Sequence, residues 1–223
     1  TMYGVFSSRE QTVSYMAVRA GTPPSGVDLI ERFHRIGGTD DLHEIWIRFE
    51  AWFDELAETH TSFTAVAHFR SPNPARSWIT TAGAVLDAAS LHLSSIAPVI
   101  EPRAALCLRS GWTALHDIAA AHHLELAGGG STTDPISVTR EEFDEAYDRL
   151  AEAGLPVKDD RDQAWIDFAG WRVNYDAALV GLCSVVSAPH APWSSDRSLR
   201  LDQTTVRSIM RSRRGRWRRM RQA

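Results

Sequence analysis

Hydrophobic residues recur with helical spacing along almost the whole chain. The pattern is clearest after Thr39 and Asp40, where apolar residues follow at intervals of three, one, three, three, one and three from Leu42 to Leu56. This spacing puts the apolar side chains on one face of an α-helix, and no segment alternates as a half-buried strand does. The pattern predicts an all-α fold, a compact bundle or orthogonal array of about six helices.

Glycines, prolines and one capping pair mark the boundaries of the other helices. Thr139 followed by Glu142 is a capping-box signal, and Gly37-Gly38 is a typical stop. The other predicted helices run from Gly26 to Ile36, from Trp78 to Ile96, from Pro102 to His122, from Thr139 to Gly154, and from about Asp160 to Ala188. The helix around Asp87 has apolar or small residues on both sides, so we expect it to be covered on both faces.

A glycine-rich segment predicts how the chain is organised. Gly128-Gly129-Gly130 is followed by serine and threonines, a composition typical of a flexible link. We therefore expect a main helical domain over 1–127, a link over 128–137, C-terminal helices that pack on the same core over 138–200, and a basic tail over 201–223.

Charged residues stand among aromatic ones between Phe49 and Asp87, where a core is expected. A buried charge without a partner costs several kcal/mol, so this mixture indicates a paired network or a pocket. In the last predicted helix Arg172 lies on the apolar side, and Asp176 one turn later is its natural partner. The candidates for this network or pocket are Glu58, His60, Arg70, Asp87, Arg172 and Asp176.

Two interpretations of these residues stay open. His60 could act as a base while an arginine holds an anionic substrate, or the charges could form a buried network that fixes how helices cross. We favour the structural network, because no nucleophile stands beside His60. The sequence therefore assigns no catalytic residue and predicts no enzyme and no cofactor.

Nucleotide and metal signatures are weak. A P-loop needs lysine beside glycines, and the only lysine, Lys158, is far from the glycine run. His116 and His123 are about 10 Å apart along one helix and cannot chelate one ion by themselves. We predict no metal, although a site built from Glu58, His60 and His116 on different helices stays open.

The formal charge of −4 conceals a strong asymmetry. Eight arginines lie between Arg207 and Arg221, and no acidic residue follows Asp202; the rest of the chain holds 16 basic and 28 acidic residues, a charge of −12. A solvated end is the favoured interpretation of this tail; among binding partners, an anionic membrane surface is favoured over nucleic acid. The residues predicted to bind an anionic surface are Arg211, Arg213, Arg214, Arg216, Arg218 and Arg219.

Cysteine use and hydropathy favour the cytoplasm. Cys107 and Cys183 both lie in apolar helical segments and are expected to be reduced core thiols. The longest apolar run, from Ala177 to Ala188, is shorter than the roughly 20 residues that span a bilayer, and no signal peptide is visible.

Several short strings resemble a known class of protein. They are Glu58-Thr59-His60, Phe69-Arg70-Ser71, Ser77-Trp78, Leu86-Asp87, Arg172-Val173-Asn174-Tyr175-Asp176 and Pro192-Trp193. As a set, over 25–197, they resemble the soluble region that follows the pore in bacterial potassium-channel-like membrane proteins of the two-pore-domain type. The chain contains no Thr-Val-Gly-Tyr-Gly filter, so no pore residue can be transferred.

The resemblance implies a cytosolic regulatory or assembly domain without catalytic activity, located at the inner face of the cell membrane. Its expected partners are a membrane-embedded pore segment, an anionic membrane surface or further copies of the chain. A small helical enzyme or ligand sensor using a His60 and Arg172 pocket is the first alternative. A nucleic-acid-associated protein acting through the arginine tail is the second.

Overall fold

The computed structural model describes residues 2–97, 101–126 and 135–197, which form eight α-helices and no strand. The helices are α1 (Met2–Ala20), α2 (Gly26–Arg35), α3 (Leu42–Ser62), α4 (Trp78–Ser95), α5 (Pro102–Ala121), α6 (Arg140–Glu152), α7 (Arg161–Arg172) and α8 (Asp176–Val185). The prediction of an all-α bundle is confirmed. The prediction of about six helices is too low, because α1 was missed and the last predicted helix is two helices.

Helix α4 is the centre of the fold. Every one of its residues except Leu93 is buried, and it packs against α1, α2, α5, α7 and α8. Helix α2 approaches α4 closely because Gly26 of α2 has no side chain. An added Cβ at Gly26 would lie 2.6 Å from the backbone nitrogen of Ala88 in α4. The prediction that this helix is covered on both faces is confirmed.

Helices α3 and α5 form the most extensive helix pair. Trp46, Phe49 and Phe53 of α3 are fully buried. Gly111 of α5 gives Phe53 the room it needs, since a Cβ there would lie 2.9 Å from Cε2 of that ring. The helical spacing of the α3 sequence thus places its aromatic side chains in the core.

The capping box at the start of α6 is present as predicted. The Thr139 hydroxyl oxygen accepts from the backbone N–H of Glu142 at 3.3 Å, and the Glu142 carboxylate accepts from the backbone N–H of Thr139 at 2.9 Å. Gly154, with φ of +90°, follows the end of this helix. Local sequence chemistry is enough to set both boundaries of α6.

Helix α1 was not predicted from the sequence, because its buried face contains polar residues. Arg9 and Thr12 are buried with Val13, Met16 and Ala20, while apolar residues such as Val18 are exposed. The apolar stripe that normally identifies an amphipathic helix is therefore blurred.

The helix predicted from Asp160 to Ala188 is interrupted at residues 173–175. Asn174 explains the break: its side-chain amide donates to the carbonyl oxygens of Gly170 at 2.9 Å and Trp171 at 3.1 Å. These bonds satisfy carbonyl groups at the end of α7, so that the chain can turn and start α8.

One cluster of buried apolar side chains includes residues from both sides of the glycine-rich segment, among them Phe53, Leu86, Phe143 and Phe168. The core of α6–α8 is thus continuous with that of α1–α5. Residues 127–134, which include most of the predicted link, and the predicted basic tail at 201–223 lie outside the described residues. No helix in the described ranges combines the length and apolar character needed to cross a bilayer.

Candidate functional site: a buried ion-pair network

A charged network lies where α4, α7 and α8 meet. Arg172, the last residue of α7, donates from Nε to Asp176 Oδ1 at 2.7 Å and from Nη1 to Asp87 Oδ1. Its Nη2 donates to the backbone carbonyl of Trp193 at 2.5 Å. A single guanidinium therefore joins α4, α7, α8 and the segment that follows α8.

Further hydrogen bonds complete the network. The Tyr175 hydroxyl donates to Asp87 Oδ1 at 2.8 Å and lies 3.0 Å from the Ser90 hydroxyl. Ser137 donates to Asp176 from its backbone nitrogen at 2.9 Å and from its hydroxyl at 2.6 Å. Both carboxylates thus accept from several donors, as buried charges require.

The chain break at residues 173–175 places the charges favourably. Arg172 stands at the C-terminus of α7, where the helix dipole stabilises a positive charge, and Asp176 is the first residue of α8, where it stabilises a negative one. The i,i+4 spacing is retained across the break. The Arg172–Asp176 ion pair expected from the sequence is present in the structure.

Water reaches little of this network. Arg172 and Tyr175 are 0% exposed, Asp87 2% and Asp176 9%. Burial acts to lower the pKa of Arg172, but the Asp87 and Asp176 carboxylates raise it well above its ordinary value, so the guanidinium stays charged. Burial, together with the Asp87 carboxylate, raises the pKa of Tyr175 well above its ordinary value, so its hydroxyl keeps the proton that it donates.

An open cleft of about 630 Å³ lies beside the network and reaches Asp87 and Trp193. Several charged residues at its walls are already paired: Arg149 lies 2.7 Å from Asp28 and 2.8 Å from Glu31, and Arg197 contacts Glu142. Ion pairs of this kind hold α2, α6 and the 192–197 segment together.

His60 belongs to a different cluster. Its ring packs on the Trp78 ring with centroids 4.8 Å apart, and its Nδ1 lies 2.9 Å from the Thr59 hydroxyl. Trp78 and Asp87 are nine residues apart on α4, which corresponds to about 13 Å along the helix axis. The structure therefore does not bring His60 and Arg172 into one polar pocket.

The buried His60 ring is neutral. Burial lowers the pKa of His60 to about 3, and the positive charge of Arg9 contributes to the same shift. Its Nε2 is buried without a hydrogen-bond partner among the described residues. A ring with so low a pKa is a poor general base at neutral pH.

Glu58 and Arg70 do not join the network. Both are exposed, Glu58 on the outer face of α3 and Arg70 in the loop before α4. Helical spacing explains Glu58: it is two residues from His60, and positions two apart do not share a helix face. Grouping these residues with Arg172 was wrong, because nearness in sequence between polar and aromatic residues does not fix which face each occupies.

Sequence reasoning missed Arg9, the other large buried cation. Arg9 is 2% exposed and donates to the carbonyl oxygens of Val66 at 2.8 Å and Phe69 at 2.6 Å. One sequence feature could have indicated its burial: Arg9 lies four residues before Val13 and seven before Met16, on the same helix face. Ser137 and the Trp193 carbonyl were also missed, and no local pattern marks them.

The described residues give little support for a metal site or a reactive thiol. They contain no group of three or more histidine, cysteine or acidic residues placed to hold a metal ion. His116, considered above with Glu58 and His60, lies 2.8 Å through its Nε2 from the backbone carbonyl of Asn174. Both cysteines are buried and reduced, and burial raises the pKa of Cys183 to about 12.

The six short strings that carry the family resemblance lie at two places along α4. His60, the 69–71 segment and Ser77-Trp78 lie at its N-terminal end, where Trp78 touches His60 and lines a pocket with Phe69, Arg70 and Ser71. Asp87, the 172–176 segment and Trp193 form the ion-pair network. The arginines assigned to surface binding, Arg211 to Arg219, lie outside the described residues.

No protein-family model matches this chain, and no curated protein or solved structure matches it.

Proposed function

We propose that this chain is a non-catalytic helical domain that serves in the regulation or assembly of a potassium-channel-like membrane protein. The observation that carries the proposal is that the resembling strings gather at two places on one helix, α4. They provide the side chains that fix α4 at two points, at Trp78 and at Asp87. Strings that cooperate in this way are expected of a shared domain, whereas chance matches would be scattered.

The chemistry of the charged groups supports a non-catalytic role. Arg172, Asp87, Tyr175 and Asp176 bond to one another and to the backbone, and the arginine is 0% exposed. His60 has a pKa of about 3 and contacts an indole ring. Groups used in this way position helices, and their bonds to one another leave little of them for a substrate.

The first experiment concerns the coding sequence upstream of Thr1. We expect it to encode a pair of hydrophobic segments on either side of a potassium-selectivity filter. The full gene product, reconstituted in liposomes, should release potassium, and removal of this domain should change its gating or its subunit assembly. An upstream sequence without such segments, or a truncated product that assembles and conducts like the intact one, would contradict the proposal.

The second experiment concerns the membrane surface. An arginine near an anionic leaflet contributes about 1 kcal/mol of binding, so the eight tail arginines should hold the chain on anionic vesicles. We expect the chain 1–223 to sediment with such vesicles at low salt, and the chain 1–202 to stay in solution. Equal sedimentation of the two chains would refute a role of the tail in membrane binding.

Salt and DNA separate membrane binding from nucleic-acid binding. The Debye length falls from about 10 Å at 0.1 M salt to 3 Å at 1 M, so vesicle binding should be lost at high salt. If the tail serves nucleic acid, duplex DNA should displace the chain from vesicles at low concentration, and its affinity should fall with salt according to the number of phosphates neutralised.

A further inference from the structure

A second pocket, unrelated to the ion-pair network, lies at the N-terminal end of α4. Its volume is about 160 Å³, and its walls are the loop before α4, the first residues of α4 and the segment that follows α8. The polar side chains around it are hydroxyls, arginines and one imidazole: His68, Arg70, Ser71, Arg76, Ser77 and Ser187. None of the described residues that line it is acidic.

Hydrogen-bond donors at this pocket lack partners. Ser71 is only 9% exposed, lines the pocket, and its hydroxyl has no hydrogen-bond partner among the described residues. The Nε of Arg76 is buried and also lacks one, although Nη1 of the same side chain donates to the Ser14 hydroxyl at 3.2 Å. Buried polar groups are almost always paired, so two unpaired donors at one pocket indicate a ligand that accepts hydrogen bonds.

Three backbone acceptors near the pocket already accept hydrogen bonds. The Ala67 carbonyl accepts from Trp78 Nε1 at 2.9 Å, and the Phe69 carbonyl accepts from Arg9 at 2.6 Å. The Ser77 carbonyl accepts from the backbone N–H of Thr81 at 3.0 Å. With unpaired donors and no acidic side chain among the described residues that line it, the pocket has the polarity that an anion requires.

The start of α4 adds a favourable electrostatic field. This helix has 18 residues, no acidic residue in its first turn, and no side-chain cap from Ser77. The first backbone N–H groups of such a helix have no partners within the helix, and its dipole attracts negative charge. Ser77 and Trp78, at this end of α4, both line the pocket.

We propose that this pocket binds a phosphate group. Its volume is roughly five times the 30 Å³ that a water molecule occupies in the liquid, which suffices for a tetrahedral anion of five heavy atoms. Ser71, Ser77 and Arg76 provide the donors, and Arg70 and the α4 terminus provide positive potential. This site does not depend on the function proposed above.

The phosphate can come from a lipid headgroup or from a free phosphate compound. Exposed aromatic side chains adjoin the pocket: Tyr3 is 78% and Phe69 40% exposed, and with Phe6, His68 and Arg70 they line an open depression. Aromatic rings beside cationic side chains are typical of surfaces that meet the membrane interface, and a lipid phosphate would be recognised there.

The test uses the whole chain, so that the arginine tail contributes equally to every sample. Calorimetric titration with inorganic phosphate, against sodium chloride of the same ionic strength, should show binding of phosphate only. Ser71→Ala and Arg76→Gln should each weaken it by about tenfold or more, since each removes one charged or buried donor. Arg109→Gln, at an exposed arginine of α5 away from the pocket, is the matched control and should bind like the wild type.

A loss of stability in the variant can be distinguished from a loss of phosphate binding. The Ser71 hydroxyl makes no hydrogen bond in the described structure, so Ser71→Ala should melt at the wild-type temperature in chloride. Only the rise in melting temperature caused by phosphate should be smaller in this variant. Phosphate that binds no better than chloride, or variants that bind phosphate as the wild type does, would overturn the proposal.

Vesicles identify the source of the phosphate. Phosphatidylcholine vesicles that contain phosphatidic acid are compared with vesicles in which phosphatidylglycerol supplies the same surface charge. A preference for phosphatidic acid that Ser71→Ala removes assigns the site to a lipid phosphate. Vesicle binding that Ser71→Ala leaves unchanged, together with weakened binding of inorganic phosphate, supports the site and assigns it to a free phosphate compound.

Discussion

Replacing Arg172 by alanine should destabilise the protein severely. The substitution leaves the Asp87 carboxylate, which is 2% exposed, with Tyr175 as its remaining donor among the described residues. Removing one partner of a buried ion pair commonly costs 3–5 kcal/mol. An independent limit agrees: protonating an aspartate with the ordinary pKa of 3.8, as in the unfolded chain, costs about 4 kcal/mol at pH 7, and burial raises the pKa of Asp87 in the fold, which favours its neutral form once Arg172 is removed.

Thermal and denaturant unfolding measure this effect. For a domain of this size each kcal/mol shifts the melting temperature by about 2–4 °C, so Arg172→Ala should melt about 6–20 °C below the wild type. If protonation of Asp87 limits the loss, the loss should shrink as the pH is lowered from 7 to 5, by at most about 1.4 kcal/mol for each unit, because burial already raises the pKa of Asp87 in the wild type.

Two further variants make the comparison specific. Arg149→Ala removes an exposed arginine with two carboxylate partners and should cost only about 0–1 kcal/mol. The double variant Arg172→Met and Asp87→Leu removes both charges and should recover much of the stability lost in Arg172→Ala. An Arg172→Ala protein within about 1 kcal/mol of the wild type would refute the interpretation of Arg172 as the ion that holds α4, α7 and α8 together.

The neutral His60 and the contact of α2 with α4 give further predictions. Because the pKa of His60 is about 3 in the folded protein and 6.5 in the unfolded chain, only the unfolded chain gains this proton as the pH falls below 6.5. His60 should therefore lower the free energy of unfolding by about 2 kcal/mol between pH 7 and pH 5. In His60→Leu this part of the pH dependence should be absent, which urea unfolding at both pH values measures. Gly26→Ala should lower the free energy of unfolding by about 1–3 kcal/mol, because its Cβ would meet the backbone of α4, which cannot move aside. Gly170→Ala, with nothing within 4 Å of the new Cβ, is its control and should stabilise α7 by about 0.5–1 kcal/mol; equal effects of the two alanines in urea unfolding would contradict the packing argument.

Local sequence determined the helices and several of their ends. The spacing of apolar residues predicts α3 and α4, and the Thr139–Glu142 capping box sets the start of α6. Spacing also put Arg172 on the buried side of its helix with Asp176 one turn away. These features depend on residues within a few positions of one another, so a helix and its faces can be inferred without knowing what they contact.

The tertiary structure decided which faces meet. Asp87 is 85 residues from Arg172 in the chain, and only the packing of α4 against α7 makes them partners. The same packing separates His60 from Arg172 and leaves Glu58 exposed. The phosphate pocket likewise needs the loop before α4 and the segment after α8 side by side. Periodicity tells which side of a helix is buried but not what covers it, because that choice depends on how the whole set of surfaces fits together.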